Sequence, residues 1–481
     1  MPWAEAPVPA GPALGFVLVF LALPVLGMTL TGAIVLALAA RFEVRAARRR
    51  RRHAPTLWQQ WPTVSIIVAA HDAGELLAGC IRSVQGNRYE RFELILVDAG
   101  STDSTPEIMA GFAAEDGRIV FAGRSPAAYG AALNTGIRRA TGEVLLFLPA
   151  DSVLTRRTVD RMLQAFEAGS EGADGVGAVW GSERTVAAGP AARIIDLMGR
   201  AGGGMARRAQ ASSGFLPVFA GGLAAVRREV LAETGGFRED TAAAELELGW
   251  RVRSAGYRVG FAPRAVIVGQ RPVRVGALWR RRVGRERSLL QCLKIHKSAI
   301  GDLRRRPLGD CLVATWVAAI VLPALRTVGV LALPCLVLAG LLPGAGSQPD
   351  IRAAGAIGLA AAGALMLAAV FCAGTFALAA DGSIRDLRHV WALPLLPFYA
   401  VFTGLAVLAA LVAEFRAARS AGVADYSMVE NRALSSAVSC RRSSGVPISW
   451  PSMWFTGARS RMLEISQTAS ASSRSFGSNG P

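Results

Sequence analysis

The 481-residue chain is short of the residues that build metal clusters and covalent staples. Its six cysteines (Cys80, Cys292, Cys311, Cys335, Cys372 and Cys440) are scattered, three of them in apolar runs, and no CxxC pair occurs. That excludes a zinc framework or disulfide scaffold and fits reduced thiols and membrane packing. Acidic residues are scarce beside basic ones, 35 against 53, for a formal charge of +18. Such an excess suits nucleic acid, but the motifs of nucleic-acid binding are missing. The arginines instead cluster beside apolar runs, where they face anionic headgroups. No internal repeat is visible.

What the chain has in plenty is apolar sequence, 52% of its residues, with a mean hydropathy of +0.36. Leu14–Ala40 carries no charge and exceeds the roughly 20 residues needed to span a bilayer. No Lys or Arg precedes it, and it is too long for the apolar core of a secretory signal. The dense positive block Arg41–His53 follows, which places the next segment in the cytoplasm and the N-terminus outside. Cys311–Leu325 and Thr327–Leu342, separated by Arg326, read as a tight hairpin or one kinked span, and Ala353–Ala380 and Trp391–Val412 as clearer spans. The expectation is one N-terminal and about four C-terminal membrane helices. One fewer is the alternative, since Arg385, Arg388 and His389 occupy the last loop.

Between Trp61 and Gln270 short β-rich runs alternate with helical stretches. The expected strands are 64–70, 92–100, 118–123, 143–151, 176–182 and 257–268, with helices over 74–86 and 104–115 among those between. Continuous apolar strands alternating with helices predict an α/β domain with a mostly parallel sheet covered on both faces. The expected organisation is a span over 1–41, a basic linker over 42–60, the α/β domain over 61–270, basic interfacial helices over 271–310, a membrane bundle over 311–415 and a disordered Ser-rich tail over 416–481.

Two strand-end carboxylates stand out, Asp98 in VDAGSTDST and Asp151 in LLFLPADS, because open α/β sheets bind ligands at the carboxyl ends of their strands. Asp103 reads as a helix cap. Taken singly these acids carry little, but they fall within four ordered blocks. These are VSIIVAAHDAGELLAGCIRSV, FELILVDAGSTDST, YGAALNTGIRRATGEVLLFLPADS and FAGGLAAVRREVLAETGGFREDTAAAELELGWRVRSAGYRVGFAP. Together they resemble the family-2 glycosyltransferases of the GT-A fold, a Rossmann-like nucleotide-diphospho-sugar transferase domain. The broader arrangement is similar to that of exopolysaccharide enzymes of the succinoglycan type.

That resemblance implies inverting transfer of a sugar from a nucleoside diphosphate donor, with Mg²⁺ or Mn²⁺ bridging carboxylate and diphosphate. It implies that Ala69, His71, Asp98, Asn134 and Asp151 hold the nucleotide sugar, that Asp151 faces the metal and that Glu245 is the base. Gly221, Gly222 and Trp250 fall on the acceptor side, with core packing an equal reading for Trp250. The chain departs from the family pattern at each acidic pair: Ala99, Pro149 and Ala244 stand where acids are usual. Magnesium binds through one or two protein carboxylates plus phosphate oxygens, so one Asp suffices. The motif Q-x-x-R-W of polymer-making members is reduced to Trp279–Val283, WRRRV, which points to addition of one sugar. Arg280–Arg282 read equally as diphosphate contacts and as side chains snorkelling to lipid. Glu247, two residues from Glu245, lies on another helix face. The implied partners are a nucleoside diphosphate sugar, a lipid-linked or glycan acceptor and membrane lipids, at the inner membrane with the catalytic domain cytoplasmic. A membrane-anchored scaffold that kept the fold and lost turnover is the second reading.

Overall fold

The computed structural model describes residues 29–48, 61–124, 128–167, 175–185, 190–213, 222–241, 243–269, 275–300, 306–328 and 395–419, with isolated residues between 331 and 380. A helix over 29–48, α1, precedes the α/β domain. The domain itself opens with β1 (Val64–Ala70), whose seven side chains are all buried, as expected of an apolar strand covered on both faces. Helix α2 (Gly74–Gln85), β2 (Phe92–Asp98), α3 (Thr105–Glu115), β3 (Ile119–Arg124), α4 (Tyr129–Arg139) and β4 (Val144–Phe147) follow in turn. β1 pairs in parallel with β2 on one side and β4 on the other, and β2 pairs in parallel with β3. The chain therefore builds outward from β1 to β3 and then returns to β1's other edge with β4. This makes the carboxyl ends of β1 and β4 the switch point where such sheets open a crevice.

The remaining strands are β5 (Ser152–Leu154), β6 (Val176–Thr185), β7 (Ala224–Arg227) and β8 (Arg258–Gly269), completing an eight-stranded sheet of order β3-β2-β1-β4-β7-β6-β8-β5. β7 is antiparallel to both neighbours, and β5 is antiparallel to β8, while β6 and β8 are parallel. The sheet is thus mixed rather than mostly parallel. β5 and β7, of three and four residues, are absent from the expected strands. The expected strands over 92–100 and 143–151 stop at Asp98 and Phe147.

Between β5 and β6 lies α5 (Thr158–Glu167). After β6 comes α6 (Pro190–Gly199), then a π-helical turn (Arg200–Gly204) leading into α7 (Met205–Ser213). Helices α8 (Arg228–Thr234) and α9 (Ala244–Ser254) fill the segment between β7 and β8.

Helix α1 runs on through Arg41. Its end docks on the α/β domain, with Glu43 Oε1 2.8 Å from Nε of the buried Arg208, and Phe42 6.3 Å from Phe261 between ring centroids. Residues 42–48 of the basic segment thus continue helix α1. The basic zone forms one long helix, α10 (Val275–Ile295). It leans on the last described helix, α12 (Leu396–Arg419), whose Glu414 takes Arg287, Gln291 and Lys294. Between them α11 (Arg306–Trp316) continues through a π turn (Val317–Val321).

Two described segments are long and apolar enough to cross a membrane, Gly309–Val328 and Phe398–Arg416. The first passes straight through Arg326, which donates to the carbonyl of Ala400, so of the two readings of these runs the helix fits a single span carried past the arginine. The rest of Thr327–Leu342, much of Leu14–Ala40 and Ala353–Ala380, and the tail lie outside the described residues.

Gly136 lets α4 approach β1 closely, since a Cβ there would stand 2.5 Å from Ile67 Cγ2. Gly136→Ala is expected to destabilise the domain by about 1–3 kcal/mol through overpacking, read as a lowered thermal unfolding midpoint of the solubilised protein.

Candidate active site

At the carboxyl ends of β1 and β2 two loops hold each other. Asp98, 1% exposed, accepts from the Ser101 N–H at 2.9 Å, and its second oxygen lies 3.6 Å from Arg124 Nε. Arg124 also donates to the Ser101 carbonyl. Across the crevice Asp72 sits at φ +47°, the one described non-glycine residue in the left-handed region. There it accepts from Thr102 N–H at 2.7 Å, while its own N–H donates to Ser101 Oγ. His71 Nδ1 lies 3.0 Å from the Ala99 carbonyl, which can only accept, so that nitrogen carries the proton and Nε2 faces Asp72 at 3.5 Å. Asp103 accepts from Gly74 N–H and Thr105 N–H, which are orphan donors at the starts of α2 and α3. Ala69 is buried in β1, opposite Val97.

Asp151 follows β4 in the turn that leads to β5. It accepts from Ser152 Oγ at 3.1 Å. Burial pushes its carboxyl up, Arg281 pulls it back, and Glu183 adds to the rise. Glu183 is the residue that sequence reasoning missed. It lies 32 positions from Asp151, but β7 runs antiparallel to both β4 and β6, so the C-terminal half of β6 reaches the same edge of the sheet as the end of β4. Two glycines flank its carboxylate. A Cβ on Gly222, at φ +83°, would lie 3.3 Å from Glu183 Oε2, and one on Gly269 would lie 3.4 Å from Oε1. Arg281 of α10 extends to within 3.8 Å of Glu183 Oε1, whereas its neighbour Arg282 pairs with Glu286 at 2.9 Å. Of the arginines in WRRRV, Arg281 is thus turned toward the carboxylates.

On the other side of the crevice, Glu245 lies in the first turn of α9, half-buried, with the Tyr129 hydroxyl 3.4 Å from Oε1. Glu247 is tied elsewhere. It accepts from Arg251 at 2.8 Å and has His296 at 3.2 Å, and Arg251 goes on to the carbonyls of Thr234 and Gly236. Asn134, expected at the nucleotide sugar, spends its amide on the loop after α8. It donates to the Phe237 carbonyl and Glu239 and accepts from Phe237 N–H. Trp250, expected on the acceptor side, is fully buried with its ring edge-on to His296 at 5.6 Å. A ring with no exposed face offers nothing for a sugar to stack on, so its place is in the core. Gly221 lies outside the described residues.

Mg²⁺ and Mn²⁺ take hard oxygen donors in near-octahedral sets completed by water and phosphate. Among the described residues no group of three or more His, Cys, Asp or Glu converges. The donors at the β4 edge, Asp151 with Glu183 nearby, fit a cation that completes its shell from a diphosphate.

The glycosyl transferase family 2 model matches residues 65–235. This segment is a family-2 glycosyltransferase domain. Poly-beta-1,6-N-acetyl-D-glucosamine synthases are among its relatives. The one from Staphylococcus epidermidis is 26% identical over 229 residues, covering 47% of this chain and 54% of the relative. The one from Staphylococcus aureus is 23% identical over 221 residues, covering 46% and 53%. The chain thus spans about half the length of the curated relatives it matches. A solved mannosyltransferase from Pyrobaculum calidifontis, in complex with GDP-Man and Mn²⁺, is 24% identical with a TM-score of 0.50, covering 72% of this chain and 97% of that one. The shared fold is the mixed α/β architecture of the GT-A type.

Hydrogen bonds from His296 and Arg251 hold the Glu247 carboxyl below its ordinary value although burial pushes it up. A depressed carboxyl stabilises the fold fully above its unfolded pKa, and that stability is lost as pH falls through the lower folded value. Glu247→Gln is therefore expected to lower the unfolding midpoint at pH 7. The gap to the parent closes below the ordinary value of 4.5, as thermal melts across pH would show.

Proposed function

We propose that this domain transfers one sugar from a nucleoside diphosphate donor to a lipid-linked or membrane-held acceptor, inverting the anomeric carbon, in the synthesis of an exopolysaccharide or cell-envelope glycan. The observation that carries this reading is the placement of Asp98 and Asp151 at the carboxyl ends of β2 and β4, either side of β1 and its switch point. The two apolar helices and the basic α10 support a location at the inner membrane surface, the larger number of spans being included in the same proposal.

Asp98 braces the loop beneath the nucleotide, and the N–H groups of that loop and the His71–Asp72 turn form the wall against which it lies. Asp151 would hold a divalent cation, which would supply positive charge against the departing diphosphate. Glu245 accepts the proton of the acceptor hydroxyl as that oxygen bonds to the anomeric carbon and the bond to phosphate oxygen breaks. Tyr129 steadies the Glu245 carboxylate from the start of α4. A cytosolic donor and an acceptor held in the bilayer meet naturally in a domain attached by apolar helices. The loss of Q-x-x-R-W favours a single addition.

Membranes bearing the chain, given labelled nucleotide sugars with Mg²⁺ or Mn²⁺, should yield labelled extractable lipid, and chelation should abolish it. Glu245→Gln is expected to lower the rate by about 10²–10⁴-fold, and Asp151→Asn to remove metal-dependent labelling. Undiminished labelling in both variants would refute the assignment.

A further inference from the structure

We infer that Glu183 is the second carboxylate of the cation site, taking with Asp151 the place that Pro149 vacates in the strand-end motif. This rests on the nucleotide-sugar reading above. Three observations on this chain carry it.

The first is topological. β6 overshoots its partner β7, which pairs with it only through Ala178–Trp180, and the overhang ending at Thr185 runs along β8 instead. Glu183 lies on that overhang, opposite Ile267 and two residues short of Gly269, while Gly269 is itself opposite Ser152, the neighbour of Asp151. The carboxylate is thereby delivered from a separate strand to the turn that holds Asp151.

The second is steric. Gly222 and Gly269 both leave open the space a side chain would fill against the Glu183 carboxylate. The space beside Gly269 touches Ser152 Oγ at 3.3 Å on one side and Glu183 Oε1 at 3.4 Å on the other, and Ser152 Oγ is bonded to Asp151. A cradle bounded by the Glu183 carboxylate and the hydroxyl that bonds Asp151, with no Cβ projecting into it, suits an oxygen-loving ion.

The third is electrostatic. The Glu183 side chain is 12% exposed, so its charge is poorly screened by water. The Arg281 guanidinium lies 3.8 Å from Glu183 Oε1. A divalent cation between Glu183 and Asp151 adds the open positions that phosphate oxygens fill. Glu183 thus supplies the negative charge that the motif lacks at 149, and Arg281 competes with the cation for it.

The test is Mn²⁺ binding by the full chain in detergent, read from the spin-resonance signal of free Mn²⁺, without nucleotide and with UDP or GDP. The parent is expected to bind more tightly with nucleotide. Glu183→Gln should weaken binding by at least about tenfold, Glu183→Asp should fall between, and Arg281→Gln should tighten it by removing the competing charge. If Glu183→Gln fails to fold, the Glu183→Asp and Arg281→Gln measurements decide. Parent-like binding in the Glu183 variants with loss in Asp151→Asn would overturn the role of Glu183 and leave the cation with Asp151. No binding by the parent under any condition, or equal binding by every variant including Asp151→Asn, would overturn both.

Discussion

Four backbone pairs, Val144↔Arg227 through Phe147↔Ala224, join the parallel half of the sheet to the other four strands. They run antiparallel, and this reversal determines which residues share an edge. With β7 reversed, its beginning meets the end of β4, which sets Gly222 beside the approach to Asp151. With β6 reversed again, its far end returns to that same edge carrying Glu183. A parallel β7 would have put the end of that strand, Arg227, where Gly222 stands. The composition of the crevice depends on this one seam.

Around the seam, polar groups are used mainly to hold backbone. Asp98, Asp72 and Asp103 spend their oxygens on N–H groups of the two loops at the switch point. Asn134 and Arg251 do the same for the segment between α8 and α9. Buried backbone donors and acceptors left without partners are costly, and these side chains meet that demand where no strand or helix does. Two of the acids given chemical roles face hydroxyls: Asp151 meets Ser152 in its own turn, and Glu245 meets Tyr129. A backbone braced by one set of side chains, around reacting groups supplied by another, is the division of labour that preorganisation requires.

The strands legible in the sequence were those with long apolar runs, β1, β2 and β6 above all, because burial on both faces leaves an uninterrupted pattern. β7 and β5 were not, since AAVR and SVL are too short for any period to register. Asp98 and Asp151 stood out because Asp98 closes its strand and Asp151 lies in the short turn after β4. Glu183 did not, because its proximity to Asp151 comes from strand order, which no local spacing encodes. Trp250 carried two readings and Asn134 one, for a related reason: a motif position says that a residue type is needed, not whether the need is for packing, bracing or contact. Arg326 left two readings open because one charge in an apolar run looks like a break, while a neighbouring helix carbonyl is enough to receive it.

Helix α10 has a partner at each end of its length. Arg281 near its start faces the carboxylates, and Arg287, Gln291 and Lys294 further on are gripped by Glu414 of α12. The α/β domain holds the same rod by itself, through the Cys292 thiol on the Ala243 carbonyl and through His296, just past the helix end, on Glu247. Glu414 therefore couples an apolar helix to the rod that carries Arg281, and a shift of one is transmitted mechanically to the charge at the crevice.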